Sequence, residues 1–325
     1  MYFEHIFGNQ RVQDILSHDI ETRKLAHAYL LAGPPAIGKF SLLDCMAISI
    51  QAPETTSKAH TLAVQHAHPD ISIIDHLPIE KEETHGSTNM YLEPRKSNTI
   101  TVQDVKNIQN KLAHTTESDY AIAIIANIER MNKGAANSLL KIIEEPPSTK
   151  TLFLFSTSFL DQVPETIISR CKVLRLQMPS REETLKFLEQ QNFTITHVED
   201  LLKCIPPSPG YLYQLAHDQD AFEQVQSRVT NIIRLLEEPD VFSLFQYVGT
   251  IISAQEALLY IEHMEYYTQW IAGSILKNES KISRIDSILT VLKNTRKYLH
   301  SHVSVKLALE QCVLQIYPEL QKLRS

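Results

Sequence analysis

The residues best suited to chemistry lie in the segment Gly33-Pro-Pro-Ala-Ile-Gly-Lys39, between a short apolar run and a helical pattern. A strand, a glycine-bearing turn and a helix form the setting of a phosphate-binding loop. In such a loop, backbone N–H groups surround phosphate oxygens, the lysine neutralises their charge, and the helix N-terminus adds its dipole. Gly33, Gly38 and Lys39 are therefore candidate nucleotide-binding residues. The alternative is a tight turn in which the glycines serve only backbone geometry.

The residue after Lys39 argues against magnesium-dependent hydrolysis. A complete loop continues with Ser or Thr, whose hydroxyl binds Mg²⁺. Phe40 occupies that position. The adjacent Ser41 would point about 100° away around the helix. The sequence therefore predicts a degenerate loop, in which Gly33, Gly38 and Lys39 form a vestigial site.

A second position of chemical interest follows the strand predicted at 121–125. This run is apolar on both faces, as in a parallel sheet covered by helices. In an ATPase of this architecture, acidic residues at the end of the strand hold magnesium and activate water. Ala126 and Asn127 stand there instead. Glu129 lies on chain that is already leaving the strand, and we do not expect it to replace the missing carboxylates.

Arg170 is the third candidate, at the end of a short helix predicted within 163–172. Its guanidinium could reach a phosphate on a neighbouring molecule, or it could pair with a local carboxylate. The residues alone favour the local pair and leave both interpretations open.

The alternation of strands and helices across 28–176 predicts an α/β core with a doubly wound parallel sheet. Strands are predicted at 28–32, 68–74, 121–125, 151–157 and 173–176. Beyond the core, only helical patterns occur. We predict three domains: the core at 1–176, a small helical domain at 177–215, and an all-helical domain at 216–325. Residues 75–98 are polar and mixed in charge, which is typical of an exposed loop or insertion.

Composition restricts the classes of function. The chain has 325 residues, of which 43% are hydrophobic, enough for two or three domains with cores. A net charge of −7 gives no general attraction to nucleic acid or membrane. Four distant cysteines match no zinc spacing, and we expect no metal site. No run approaches the roughly 20 apolar residues that span a bilayer, and no signal pattern starts the chain, so we expect a cytoplasmic protein.

Four segments carry a resemblance to a known family: 27–33, 131–147, 166–171 and 305–310. The second ends in Leu-Leu-Lys-Ile-Ile-Glu-Glu-Pro-Pro, and the third contains Ser-Arg-Cys. Together they resemble clamp-loader subunits of bacterial DNA polymerase III, which belong to the AAA+ class. The resemblance extends over nearly the whole chain, and the combination of these two motifs is highly specific.

The resemblance implies an AAA+ core, a helical lid and a helical collar that joins a hetero-pentamer with motor subunits and a delta subunit. The sliding clamp and primed DNA would be contacted through that complex. It also implies that Arg170 is an arginine finger acting in trans on a neighbour's ATP, which reverses the preference for a local pair. Such an arginine contributes about 10³–10⁵ in rate in GTPases.

The chain departs from the motor subunits of this family. They have Asp-Glu where this chain has Ala126 and Asn127, the degenerate Walker B positions. They place a phosphate-sensing arginine where this chain has Tyr211, and they carry a four-cysteine zinc module of which only Cys45 is present. We therefore expect a non-hydrolysing subunit that requires no cofactor, with residual binding of ATP or ADP left open. The alternative is an active AAA+ ATPase motor subunit.

Overall fold

The computed structural model describes residues 3, 6–54, 57–74, 99–113, 119–190, 198–237, 240–274, 279–301 and 303–324. The insertion predicted at 75–98 lies outside the described residues. The chain divides into two compact units. The first holds the described residues up to Gln190 together with Ser208–Tyr213, and the second holds the other described residues. The predicted three-part division stays a prediction.

Five parallel strands form the sheet of the first unit. They are β1 Ala28–Ala32, β2 Ile71–Ile74, β3 Ala121–Ile125, β4 Thr151–Thr157 and β5 Lys172–Arg175, in the spatial order β2-β3-β4-β1-β5. The prediction of a parallel sheet flanked by helices is confirmed. The second strand starts later than predicted, because Pro69 lies in a turn. In that turn His68 Nδ1 accepts the N–H of Asp70, and the His68 carbonyl accepts that of Ile71.

Helices flank the strands and continue after the last of them. Those that begin in the first unit are α1 Gln10–Glu21, α2 Lys39–Gln51, α3 Lys58–Val64, α4 Val102–Leu112, α5 Lys133–Glu144, α6 Glu165–Ile168, α7 Arg181–Gln190 and α9 Pro209–His217. The second unit contains α8 Val198–Cys204, α10 Gln219–Glu237, α11 Val241–Val248, α12 Ala254–Ser274, α13 Glu279–His300 and α14 Val305–Arg324. Helix α3 was not predicted. No helix among the described residues is long and apolar enough to cross a membrane.

Apolar side chains on both faces of β3 explain why it lacks a polar–apolar alternation. Ala121, Ala123 and Ile125 belong to a core cluster that includes residues of α4 and α5. Ile122 and Ile124 belong to a second cluster that includes residues of α1 and α2. Because helices cover both faces, every position of the strand is buried.

Side-chain caps fix where α4 and α5 begin. Thr101 and Asp104 form a reciprocal capping box at the start of α4. Asn132 Oδ1 accepts the N–H of Ala135 at 2.8 Å at the start of α5. Both caps use residue types that favour the start of a helix. Helix α5 ends at Glu144, shortly before Pro146 and Pro147, whose rings disfavour continuation of a helix.

A buried polar network attaches α1 to the sheet. The hydroxyl of Tyr29, on β1, donates to Asp19 Oδ2 at 2.7 Å. Lys172, on β5, forms an ion pair with the same carboxylate oxygen, and its ammonium also lies 5.6 Å from the centre of the Tyr29 ring. Burial, together with the Asp19 carboxylate, raises the pKa of Tyr29. One carboxylate of α1 therefore contacts two strands.

In the second unit, polar contacts join helices around an apolar core. Tyr267 of α12 donates from its hydroxyl to Glu237 of α10 at 2.8 Å. Arg296 of α13 donates to Glu265 of α12 at 2.6 Å. Helix α14 continues through Pro318.

The network around Asp19 gives a first testable prediction. Asp19→Ala removes an acceptor from the buried Tyr29 hydroxyl and a counter-ion from Lys172, so we expect a loss of about 1–3 kcal/mol in the free energy of unfolding. Asp19→Asn keeps an acceptor and should lose less. The measurement is the midpoint of urea-induced unfolding, followed by far-UV circular dichroism.

Asp14→Ala is the matched control, because Asp14 lies on the same helix with an exposed side chain. Its effect should stay within about 0.5 kcal/mol. Equal midpoints for Asp19→Ala and Asp14→Ala would show that the network does not stabilise the fold.

Candidate functional site

The backbone of the loop between β1 and α2 favours glycine at two positions, Gly33 and Gly38. A Cβ at Gly33 would lie 2.6 Å from the carbonyl oxygen of Leu176, so a larger residue would displace the chain. Gly38 has φ +85°, which favours glycine. Ala36 also has a positive φ, +57°, although it carries a Cβ. For such a residue, the left-handed conformation costs about 1–2 kcal/mol.

Two hydrogen bonds hold the strained Ala36. Its carbonyl oxygen accepts from Ser208 Oγ at 2.7 Å and from the N–H of Gly210 at 3.0 Å. Ser208 is buried, and it directly precedes α9. Tyr211, the residue expected to replace a phosphate-sensing arginine, lies in the first turn of α9 and is half-buried. The loop is therefore attached to the start of this helix.

The ammonium of Lys39 is buried among oxygen atoms of the chain. Nζ donates to the carbonyl oxygens of Gly33 and Pro34, at 2.7 and 2.5 Å, and to Ser158 Oγ at 3.1 Å. Only 6% of the residue is exposed. Gly33 and Pro34 belong to the loop itself, and Ser158 follows β4. The cation that would meet a phosphate is thus bound by its own loop.

Glu129 lies near this ammonium. Burial lowers the pKa of Lys39 to about 8, and the negative charge of Glu129 opposes that shift. Glu129 Oε1 accepts the N–H of Ser158 at 3.0 Å. Its Oε2 is buried and has no hydrogen-bond partner among the described residues. The sequence placed Glu129 beyond the strand and did not show that the 3-10 turn Ile128–Arg130 directs it back towards the end of β4.

Ala126 and Asn127, at the end of β3, both have structural explanations. Ala126 is buried, and its N–H donates to the Ile74 carbonyl, which extends the pairing of β2 with β3. Asn127 has φ +51°, a conformation that asparagine tolerates better than most residues. Its N–H donates to Ser156 Oγ at 3.3 Å. Neither residue supplies a carboxylate at the end of β3.

Phe40 takes part in packing at the position of the missing hydroxyl. It is half-buried against the core cluster that lies under α2, and its ring centre lies 6.0 Å from that of His66, edge to face. Ser41 is exposed. Among the described residues, no group of three or more His, Cys, Asp or Glu side chains is arranged to hold a metal ion.

Arg170 makes local contacts after the end of α6. Its Nη2 forms an ion pair with Glu144 Oε1 at 2.5 Å. Its Nη1 donates to the Thr166 carbonyl at 2.9 Å and lies 3.5 Å from Ser169 Oγ. The local carboxylate that the residues alone favoured is therefore Glu144, at the C-terminus of α5. Its identity could not be read from the sequence, since α5 and α6 are distant along the chain.

Arg170 lies at the amino ends of the parallel strands, and the phosphate-binding loop lies at their carboxyl ends. Lys172 of β5 aligns with Tyr29 of β1, and Arg175 aligns with Ala32. Arg170 therefore precedes the amino end of β5, whereas the loop follows the carboxyl end of β1. At about 3.3 Å per residue, the amino end of β5 and the start of the loop after β1 are about 13 Å apart along the strand direction. This distance exceeds the reach of an arginine side chain.

The parallel sheet, the loop between β1 and α2 and the helices that flank the strands define the P-loop core of an AAA+ protein. The family model described as "DNA polymerase III, delta subunit" matches residues 8–180, and the chain belongs to that family. The resemblance to clamp-loader subunits of DNA polymerase III is thereby confirmed.

Individual relatives agree with this assignment. The DNA polymerase III delta′ subunit of Bacillus subtilis (strain 168) is 23% identical over 338 residues, which cover 94% of this chain and 95% of that protein. The delta′ subunit of Pseudomonas aeruginosa is 29% identical over 66% of this chain and 62% of its own length. A gamma subunit of Buchnera aphidicola is 27% identical, and the match spans 58% of this chain and 48% of that protein.

The chain spans about half or less of the gamma and tau relatives that it matches, 48% of the former and 28% of the tau subunit of Bacillus subtilis. A solved structure of a gamma subunit-related protein from Thermotoga maritima has a TM-score of 0.51 and 15% identity, with 94% of this chain and 99% of that chain covered. This likeness shows a shared fold.

The buried ammonium of Lys39 predicts a pH dependence of stability. Its pKa is about 8 in the folded protein, against 10.5 for an ordinary lysine. Between these values the unfolded chain binds more protons, so the free energy of unfolding rises with pH. Between pH 7 and 9.5, the free energy of unfolding of the protein should rise by about 2 kcal/mol relative to that of Lys39→Met, which lacks this titration. Urea unfolding of both proteins at each pH measures this difference.

Below about pH 7 the lysine is protonated in both states, so the difference between the two proteins should be constant there. A difference that is constant up to pH 9.5 would contradict the buried, desolvated ammonium.

Proposed function

We propose that the chain is a non-hydrolysing, delta′-type subunit of the DNA polymerase III clamp loader, which helps to load the sliding clamp onto primed DNA. In this role it supplies Arg170 as an arginine finger in trans to the ATP of a neighbouring motor subunit. One observation carries the proposal: Arg170 and the chain's own phosphate-binding loop lie at opposite ends of the parallel strands. A guanidinium in that position can act on a nucleotide only when another molecule presents it.

The loop itself supports the absence of hydrolysis. Ala126 and Asn127 provide no carboxylate to orient water, and Phe40 provides no hydroxyl for magnesium. Lys39 is engaged with carbonyl oxygens of its own loop. The charge of Glu129 acts on Lys39, and one of the oxygens of this carboxylate accepts the N–H of Ser158. These features favour the proposed role over an active motor subunit.

The partners follow from the proposed role. They are the motor subunits and the delta subunit of a hetero-pentamer, with the clamp and primed DNA met through the complex in the cytoplasm. A net charge of −7 is consistent with limited DNA contact by this subunit. The helices of the second unit, α10 to α14, would serve as the collar for assembly. No cofactor is required by this subunit.

Arg170→Ala in the reconstituted clamp loader tests the finger. Turnover at the site that faces Arg170 should fall on the order of 10³-fold, and the clamp- and DNA-stimulated ATPase should lose at least that site's share. Arg170→Lys keeps the charge but not the planar guanidinium, so it should remain impaired. Steady-state phosphate release and clamp loading measure both effects.

Arg11→Ala is the matched control, because Arg11 is an exposed arginine of the same unit, on α1. It should leave turnover at the wild-type level. Unchanged ATP turnover and clamp loading with Arg170→Ala would show that Arg170 is not an arginine finger. The chain would then have only a structural role in the complex.

Nucleotide binding by the purified chain gives a separate test of the degenerate loop. Because the loop provides neither a hydroxyl nor a carboxylate for magnesium, a fluorescent ATP analogue should bind equally with magnesium and with EDTA, or not at all. Lys39→Ala should abolish any binding. An affinity that rises on addition of magnesium would show a working metal site.

A further inference from the structure

Arg170 is held in place by two neighbours in its own subunit. The Thr166 carbonyl accepts from Nη1 at 2.9 Å, and Glu144 Oε1 contacts Nη2 at 2.5 Å. Thr166 lies on α6, and Glu144 is the last residue of α5. Within the described residues, Nε makes no hydrogen bond. The guanidinium therefore has a fixed position and retains a donor for another molecule.

Helix stability does not account for the carboxylate of Glu144. A negative charge at the C-terminus of a helix opposes the helix dipole. The cation of Arg170 compensates that charge, and the ion pair connects α5 to the segment after α6. Glu145, the next residue, is exposed, and its side chain has no hydrogen bond or ion pair among the described residues. Of these two adjacent carboxylates, Glu144 is therefore the one in contact with Arg170.

A flexible arginine loses rotamer freedom when it binds a phosphate, and a contact formed beforehand removes part of that cost. Glu144 and Thr166 provide such contacts at the amino edge of the sheet, away from the chain's own loop. The ion pair is partly exposed, with 38% of the Arg170 side chain and 47% of the Glu144 side chain accessible. Its effect is therefore modest and screened by salt.

We propose that Glu144 is a positioning residue for Arg170. Its carboxylate holds the guanidinium in the orientation in which it meets the nucleotide of the neighbouring subunit. Glu144 does not itself contact that nucleotide and acts only through Arg170. The proposal rests on the proposed function of Arg170 in trans.

The test is a double-mutant cycle in the reconstituted clamp loader, with wild type, Glu144→Ala, Arg170→Ala and the double variant. Glu144→Ala should lower kcat at the affected site by about two- to fivefold, the size that a partly exposed ion pair supports. The KM for ATP should not change, since Glu144 does not bind nucleotide. In the Arg170→Ala background, Glu144→Ala should have no further effect. Rising salt should reduce the difference between Glu144→Ala and wild type.

Glu145→Ala is the control and should match wild type, and Glu144→Gln, which keeps an acceptor without the charge, should fall between wild type and Glu144→Ala. Thermal unfolding and size-exclusion chromatography establish that each variant folds and assembles. Wild-type kcat for Glu144→Ala, or an equal loss with and without Arg170, overturns the positioning role while the finger stands. A wild-type rate for Arg170→Ala overturns the finger and the positioning role together.

Discussion

The buried ammonium of Lys39 is the constraint on which the loop depends. A cation removed from water must be surrounded by acceptors, and Gly33, Pro34 and Ser158 provide them at 2.5–3.1 Å. These acceptors come from the loop after β1 and from the end of β4, while Glu129 adds a negative charge from the turn after β3. One side chain thereby joins the loop after β1 to the residue that follows β4.

Packing explains how the core keeps its form without the usual catalytic groups. Ala126 continues the pairing between β2 and β3, Asn127 adopts the left-handed turn that ends β3, and Phe40 fills space under α2. Each residue satisfies the backbone or the core at its position. Strand β3, the turn after it and helix α5 therefore form without a carboxylate at Ala126 or Asn127 and without a hydroxyl at Phe40.

Local patterns predicted the five strands closely, because a buried strand carries its signal within a few residues. The site was less accessible to sequence reasoning. Contacts of Lys39 with Ser158, and of Arg170 with Glu144, join segments that are distant along the chain and meet only through strand register and helix packing. The direction of the Glu129 side chain could not be read from the sequence either, since it depends on the 3-10 geometry after Asn127.

Under the proposed function, the chain hydrolyses no ATP itself and acts on the nucleotide of a neighbour. The most direct measurement is phosphate release from labelled ATP by the purified chain, alone and with clamp and primed DNA, beside Lys39→Ala. The predicted result is the same background rate for both proteins under every condition. Turnover by the purified chain that Lys39→Ala abolishes would contradict the claim and identify an active motor subunit.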